Sequence, residues 1–181
     1  VRFAYADPPY LGCGKLYAAR HPEALVWDDP ETHRRLIERL SDEWPDGWAL
    51  SLHVPSLQTI LGFCPSGVRV AAACKTYGQI RPTRVQWMWE PVIFSGGRKK
   101  RPNSLVRDWL AYNTAPRSRA KDGLIGGKPM AFCHWVFDLL GAEPGDTLDD
   151  LFPGTGAVGA AWASYMGERS PLPHLPLEAL A

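Results

Sequence analysis

Short apolar runs alternate with stripes at helical spacing along this chain, and that alternation predicts its elements. Residues 1–6 read Val-Arg-Phe-Ala-Tyr-Ala, a run of buried-strand length that stops at Asp7-Pro8-Pro9-Tyr10. Asp29 is an N-cap candidate before Pro30 and Glu31, and Leu36, Ile37, Leu40 and Trp44 form a stripe that ends at Pro45-Asp46-Gly47. Residues 48–54 read as the next strand, parallel to the first because a helix lies between them. A short helix over 55–63, a third strand over 68–74 and an aromatic fourth over 85–94, interrupted by Pro91, follow. With Tyr77-Gly78-Gln79 and Pro82 between them, the last two predict an antiparallel edge pair, in which Trp87 and Trp89 share one face as core or edge cover. Lys128-Pro129 starts a helix whose Phe132, Trp135, Val136 and Leu139 would pack on the sheet until Gly141. Pro144-Gly145-Asp146 then turns into a short strand, a glycine-rich turn and a helix start through Ala160, Ala161 and Trp162.

Composition sets the scale. With 181 residues, 45% of them hydrophobic, the chain holds one well-packed domain, 1–181. The net charge of +1 gives no polybasic character overall, so any nucleic-acid surface must be a local asymmetry. No run has membrane-span length and the first residues are strand-like, so a soluble, intracellular, cytoplasmic protein is expected. Cys13, Cys64, Cys74 and Cys133 form no close pair, and Cys133 and His134 diverge on a helix, so reduced thiols and no metal are expected.

One local asymmetry exists. Arg98, Lys99, Lys100, Arg101, Arg107, Arg117, Arg119 and Lys121 fall where Asp108 is the only acid before Asp122, a footprint suited to a phosphate backbone. Trp109, Tyr112 and Asn113 within it are candidate base contacts or gap fillers. Earlier, the long stretch 11–27 carries Lys15 and Arg20. It reads either as a lid whose cations reach phosphate or as a surface loop with solvated charges.

Two stretches carry candidate chemistry. In Asp7-Pro8-Pro9-Tyr10 the prolines fix two φ angles and remove two donors, which leaves a rigid set of acceptors beside an aromatic face. A flat group bearing an amine, such as a nucleobase, suits both features, although Asp-Pro-Pro also opens ordinary turns. In Asp150-Leu151-Phe152-Pro153-Gly154-Thr155-Gly156 the glycines permit positive φ and close ligand approach, ahead of a helix N-terminus with free N–H groups.

Together the two stretches resemble the amino-group DNA methyltransferases that use S-adenosylmethionine, in the permuted beta-class order with the catalytic motif first. The resemblance rests on Asp7-Pro8-Pro9-Tyr10, on Asp150, Phe152, Gly154 and Gly156, and on the Lys128-Pro129 pair that opens the helix before the cofactor loop. It implies a methyltransferase-like, Rossmann-like α/β fold: an open, mostly parallel sheet with helices on both faces and antiparallel edge strands. It further implies that Asp7, Pro8, Pro9 and Tyr10 hold the target amine. Asp150, Phe152, Gly154, Thr155, Gly156, Lys128 and Pro129 would hold S-adenosylmethionine. Residues 96–124 occupy the slot of target recognition, with Lys15, Arg98, Lys99, Lys100, Arg101, Arg117 and Arg119 as expected DNA contacts. Asp at position 7 implies adenine over cytosine and a base over a protein amide.

One departure stands out. Where such enzymes continue into a second cofactor-side strand ending in a ribose-binding acid, Glu168 leads to Pro171, Pro173 and Pro176, which argue against a central strand. Glu168 and Glu178 are the remaining acids there. The expectation is weak donor binding, or a partner chain, such as a second copy, that completes the pocket. A non-catalytic nucleic-acid-binding relative, or methylation of a cytosine amine or of RNA, are the alternatives.

Overall fold

The computed structural model describes residues 1–19, 21–76, 82–99, 105–112 and 127–169, and the side chains of these up to 167. Its strands are β1 (Arg2–Ala6), β2 (Gly47–Ser51), β3 (Arg69–Lys75), β4 (Trp89–Gly96), β5 (Trp109–Tyr112) and β6 (Thr147–Asp150). Its helices are α1 (Pro30–Glu43), α2 (Leu57–Leu61), α3 (Met130–Leu140) and α4 (Ala157–Arg169). The strands form one sheet in the order β5-β3-β4-β2-β1-β6.

Strand alternation builds a core on each face. Phe3 and Tyr5 of β1 point to the side covered by α3 and α4, where Phe132, Val136, Phe137, Leu140, Ala161 and Tyr165 are buried. Ala4 and Ala6 point to the other side, under Leu36, Ile37 and Leu40 of α1 and Ile60 of α2. The helix ends follow their sequence signals. Asp29 Oδ1 accepts the Glu31 N–H at 3.0 Å to cap α1. Gly141, at φ 68°, turns the chain left-handed after α3, so that Ala142 N–H reaches Phe137 O at 3.0 Å.

The expected open, mostly parallel sheet with helices on both faces is present, with two differences. β1 runs parallel to β2 and β6, and β3 parallel to β5, while β4 is antiparallel to both β2 and β3. The antiparallel β3–β4 pair is therefore internal, because β5 caps the edge. Trp109–Tyr112 has only four residues in a basic stretch, too few for alternation to show. Trp87 precedes β4 and is about half exposed (51%), so it covers neither core nor edge. On the opposite edge β6 pairs only with β1 among the described residues. Residues 170–181, including Glu178, and the side chain of Glu168 lie outside the described part. Among the described residues no helix is long and apolar enough to cross a membrane.

Candidate active site

The register of two parallel strands creates the site. Tyr5 of β1 lies opposite Asp150 of β6, so the Asp7 loop and the glycine turn leave the same sheet edge side by side. That is where open α/β sheets place ligands. Because β4 is reversed, its first residues, Trp89 and Glu90, also arrive at this edge, beside the end of β3.

Asp7, Tyr10 and Lys128 form one cluster. Lys128 Nζ lies 3.1 Å from Asp7 Oδ1 and donates to Tyr10 Oη at 3.0 Å. Tyr10 Oη donates to the same Asp7 oxygen at 3.3 Å. Burial first, then the charge of Asp7, pushes the Tyr10 phenol well above its ordinary pKa, so it stays protonated and can donate. Burial alone would lower the pKa of Lys128, but Asp7, Tyr5 and Glu90 reverse the sign and keep it an ammonium. The Tyr10 ring is stacked on His53, centroids 5.4 Å apart and planes within 7°. Pro8 is buried and Pro9 half-buried, so the tetrapeptide is anchored from behind.

Lys128 is expected at the donor. Its backbone neighbourhood does reach the glycine turn, since a Cβ on Gly127 would lie 3.5 Å from Thr155 Oγ1. Its ammonium, however, is drawn to the carboxylates of Asp7 and Glu90. Pro129 stands at the cap of α3, between the two motifs.

The glycine turn has the shape expected of it. Gly154 and Gly156 take φ of 46° and 75°, and a Cβ on Gly156 would meet nothing within 4 Å, so space is open beside the turn. Asp150 Oδ1 accepts the Phe152 N–H at 3.2 Å, whereas its buried Oδ2 has no hydrogen-bond partner among the described residues. Burial holds the Asp150 carboxyl above its usual range against that hydrogen bond, and Asp7 adds to the effect. A buried acceptor left empty is costly unless a ligand fills it.

The expected nucleic-acid contacts divide. Lys15 is exposed on a short 3-10 helix, Gly14–Leu16, in the loop that leaves Tyr10. Arg98 is paired within the fold. It leaves the opposite sheet edge and binds Asp146 through two hydrogen bonds of 2.5 and 2.9 Å, with a third to Gly141 O at 2.9 Å. This guanidinium fastens β4 to the turn before β6, because Asp146 is almost fully buried and requires a counter-charge. Lys99 is exposed beside it, near a cavity of about 160 Å³ lined by Arg69, Phe94 and Leu139, far from Asp7 in the sheet. Lys100, Arg101, Arg117, Arg119, Arg20 and Asn113 lie outside the described residues. Tyr112 is buried in β5, while Trp109 is exposed with Arg107 over its ring at 5.8 Å.

Sequence reasoning missed Glu90, Lys75 and Trp27. The only signal for Glu90 was a carboxylate inside an apolar strand, which must find a buried partner. The stacking of His53 on Tyr10 has no sequence signature.

The sheet and the two loops at its edge define a methyltransferase-like α/β fold. Among solved structures, the crystal structure of the M1.HpyAVI–SAM complex is similar to the chain at TM-score 0.59 and 15% identity, over 92% of this chain and 78% of that one. The crystal structure of M1.HpyAVI matches at TM-score 0.52 and 15% identity, over 91% and 76%. Identity at this level speaks for the fold. No model of a known protein family and no curated protein matches the chain.

Proposed function

We propose that the chain is an S-adenosylmethionine-dependent methyltransferase acting on the exocyclic amino group of adenine in DNA. One observation carries the reading: with Tyr5 opposite Asp150, the Asp7-Pro8-Pro9-Tyr10 loop and the glycine turn meet at a single edge. That M1.HpyAVI, of the same fold, was solved with SAM supports the choice of donor.

The residues fit that donor. The partnerless Oδ2 of Asp150 suits its ammonium group, while Phe152 and the Gly154-Thr155-Gly156 backbone border open space. Bound there, S-adenosylmethionine supplies a methyl group made electrophilic by a sulfonium. The side of β6 that pairs with no strand among the described residues is where a partner chain would complete the pocket.

The chain's own residues act on the amine. Its lone pair is delocalised into the base, so it is a weak nucleophile. Asp7 and the Pro8 carbonyl accept its two hydrogens and return density to nitrogen. When nitrogen gains a fourth bond it becomes cationic and sheds one proton, for which the Asp7 carboxylate is the acceptor at hand. Tyr10 offers the base a stacking face once it has left the duplex. Alignment in a partly dry site contributes most of the rate, since no strong base stands beside Asp7 among the described residues.

The test is transfer of labelled methyl from S-adenosylmethionine to mixed-sequence DNA by the native chain and by Asp7→Ala. Label in adenine that disappears with the substitution is expected. A folded native chain that binds DNA and transfers nothing would favour the binding-only relative. Label in cytosine or RNA would move the substrate.

A further inference from the structure

Glu90 is the second carboxylate of the candidate site. Its Oε1 is paired with Lys75 Nζ, and its Oε2 lies 3.9 Å from Lys128 Nζ. Lys128 therefore stands between two acids, closer to Asp7 at 3.1 Å than to Glu90. These groups are shielded: the side chain of Lys128 is 11% exposed, those of Asp7 and Glu90 21% and 22%. In such surroundings an ammonium is not released without another anion to receive it.

On the methyltransferase reading, this arrangement sets up a conflict. Lys128 and Tyr10 both donate to Asp7 Oδ1, the carboxylate that must also accept the target amine. An ammonium fixed there occupies acceptor capacity and withdraws negative charge from the nitrogen that is to be activated. Glu90 resolves the conflict, because a shift of about an ångström, well within a lysine's rotamer freedom, changes which acid Lys128 serves.

We propose that Glu90 is a positioning residue that takes over Lys128 as the target amine arrives, freeing Asp7 to accept the amine's hydrogens. Lys75 keeps Glu90 in place for the transfer. β3 and β4 are paired beside it, with Ala73 opposite Glu90, so both partners stand on rigid strands. Lys128 keeps a carboxylate partner throughout, and no proton changes place in the transfer. The aromatic rings of Tyr10 and Phe132, at 5.6 and 5.4 Å from Nζ, face the ammonium where it stands. The role of Glu90 runs entirely through Lys128, which distinguishes it from a direct contact to the base.

A double-mutant cycle in the full chain tests this, with Glu90→Gln, Lys128→Met and the pair, reading kcat and KM for DNA and donor affinity by calorimetry. Glu90→Gln is expected to lower kcat about tenfold while donor affinity stays within about twofold. In the Lys128→Met background the same change is expected to add less than about twofold, because there is no ammonium left to transfer. Glu90→Asp keeps the charge at shorter reach and recovers part of the loss; should Glu90→Gln fail to fold, Glu90→Asp carries the same cycle. A native-like kcat in Glu90→Gln, or a full additive loss on Lys128→Met, overturns the assignment while the function stands. Absence of methyl transfer by the native chain overturns both.

Discussion

Trp27 and Phe152 meet edge to face, their ring centroids 5.1 Å apart at 76°. Trp27 belongs to the second 3-10 helix, Pro22–Asp28, of the loop that leaves Tyr10, and Phe152 opens the glycine turn, so one ring contact joins the two motifs. His33 fixes the indole from the α1 side, with its ring 5.2 Å away and Nε2 2.9 Å from Trp27 O. The loop is closed on itself where Asp28 Oδ1 accepts the Gly14 N–H at 2.7 Å. No side chain fits at Gly14, since a Cβ there would lie 2.5 Å from Ala24 O.

Trp27→Ala removes this tie. An aromatic pair contributes about 1 kcal/mol beyond its burial, so donor affinity should fall about fivefold. Calorimetry measures it, and limited proteolysis should show earlier cutting within 11–28 than in the native chain.

Asp150 gives a prediction with a definite sign. Its carboxyl is held above the usual range mainly by burial, so at neutral pH the ionised group destabilises the free chain. Because the folded pKa lies above the unfolded one, that penalty is absent below the unfolded pKa and complete above the folded one. Asp150→Asn should therefore raise the melting temperature at pH 7 and leave it unchanged near about pH 3, where both side chains are neutral. Adding S-adenosylmethionine should reverse the order at pH 7, since the amide has no negative charge to offer its ammonium.

Asp146 behaves in the opposite way. Burial works against its ionisation, but hydrogen bonds from Arg98 and from the Glu143 N–H prevail and hold its carboxyl at about 2, against an ordinary 3.8. Its folded pKa is depressed, so the stabilisation is present above about pH 4 and lost as pH falls through about 2. Asp146→Asn should cost about 2 kcal/mol in urea unfolding at pH 7, and the deficit should shrink on acidification. Methyl transfer by the folded variant should be unaffected, because Asp146 and Arg98 stand at the far edge of the sheet.

His53 covers one face of Tyr10. His53→Ala leaves that ring unsupported, so KM for DNA should rise several-fold, in keeping with a stack of about 1 kcal/mol, with donor affinity unchanged. Equal losses in both would place His53 elsewhere in the scheme.

The long-period features were legible from the chain. α1 announced itself through Asp29, Pro30 and the stripe at Leu36, Ile37 and Leu40, and α3 through Lys128-Pro129 and its terminal Gly141. β1 and the turn after β6 were visible because an apolar run ended at prolines or glycines. β5 was invisible, since four residues offer no period. The internal place of the β3–β4 pair followed from β5 and could not precede it. Arg98 looked like its basic neighbours because charge composition does not reveal where a counter-charge lies, and Asp146 is 48 residues away.

The sequence by itself determined the succession of strands and helices apart from β5, the rigidity of Asp7-Pro8-Pro9-Tyr10 and the left-handed glycines after Asp150, because φ restrictions and apolar periodicity act over a few residues. Only the tertiary structure decided that Tyr5 lies opposite Asp150, that β4 reverses to bring Glu90 to the site, and that Lys128 turns to Asp7. Strand pairing and buried charge pairing join residues far apart in the chain, and their partners are chosen by the shared sheet and core, which no local stretch encodes.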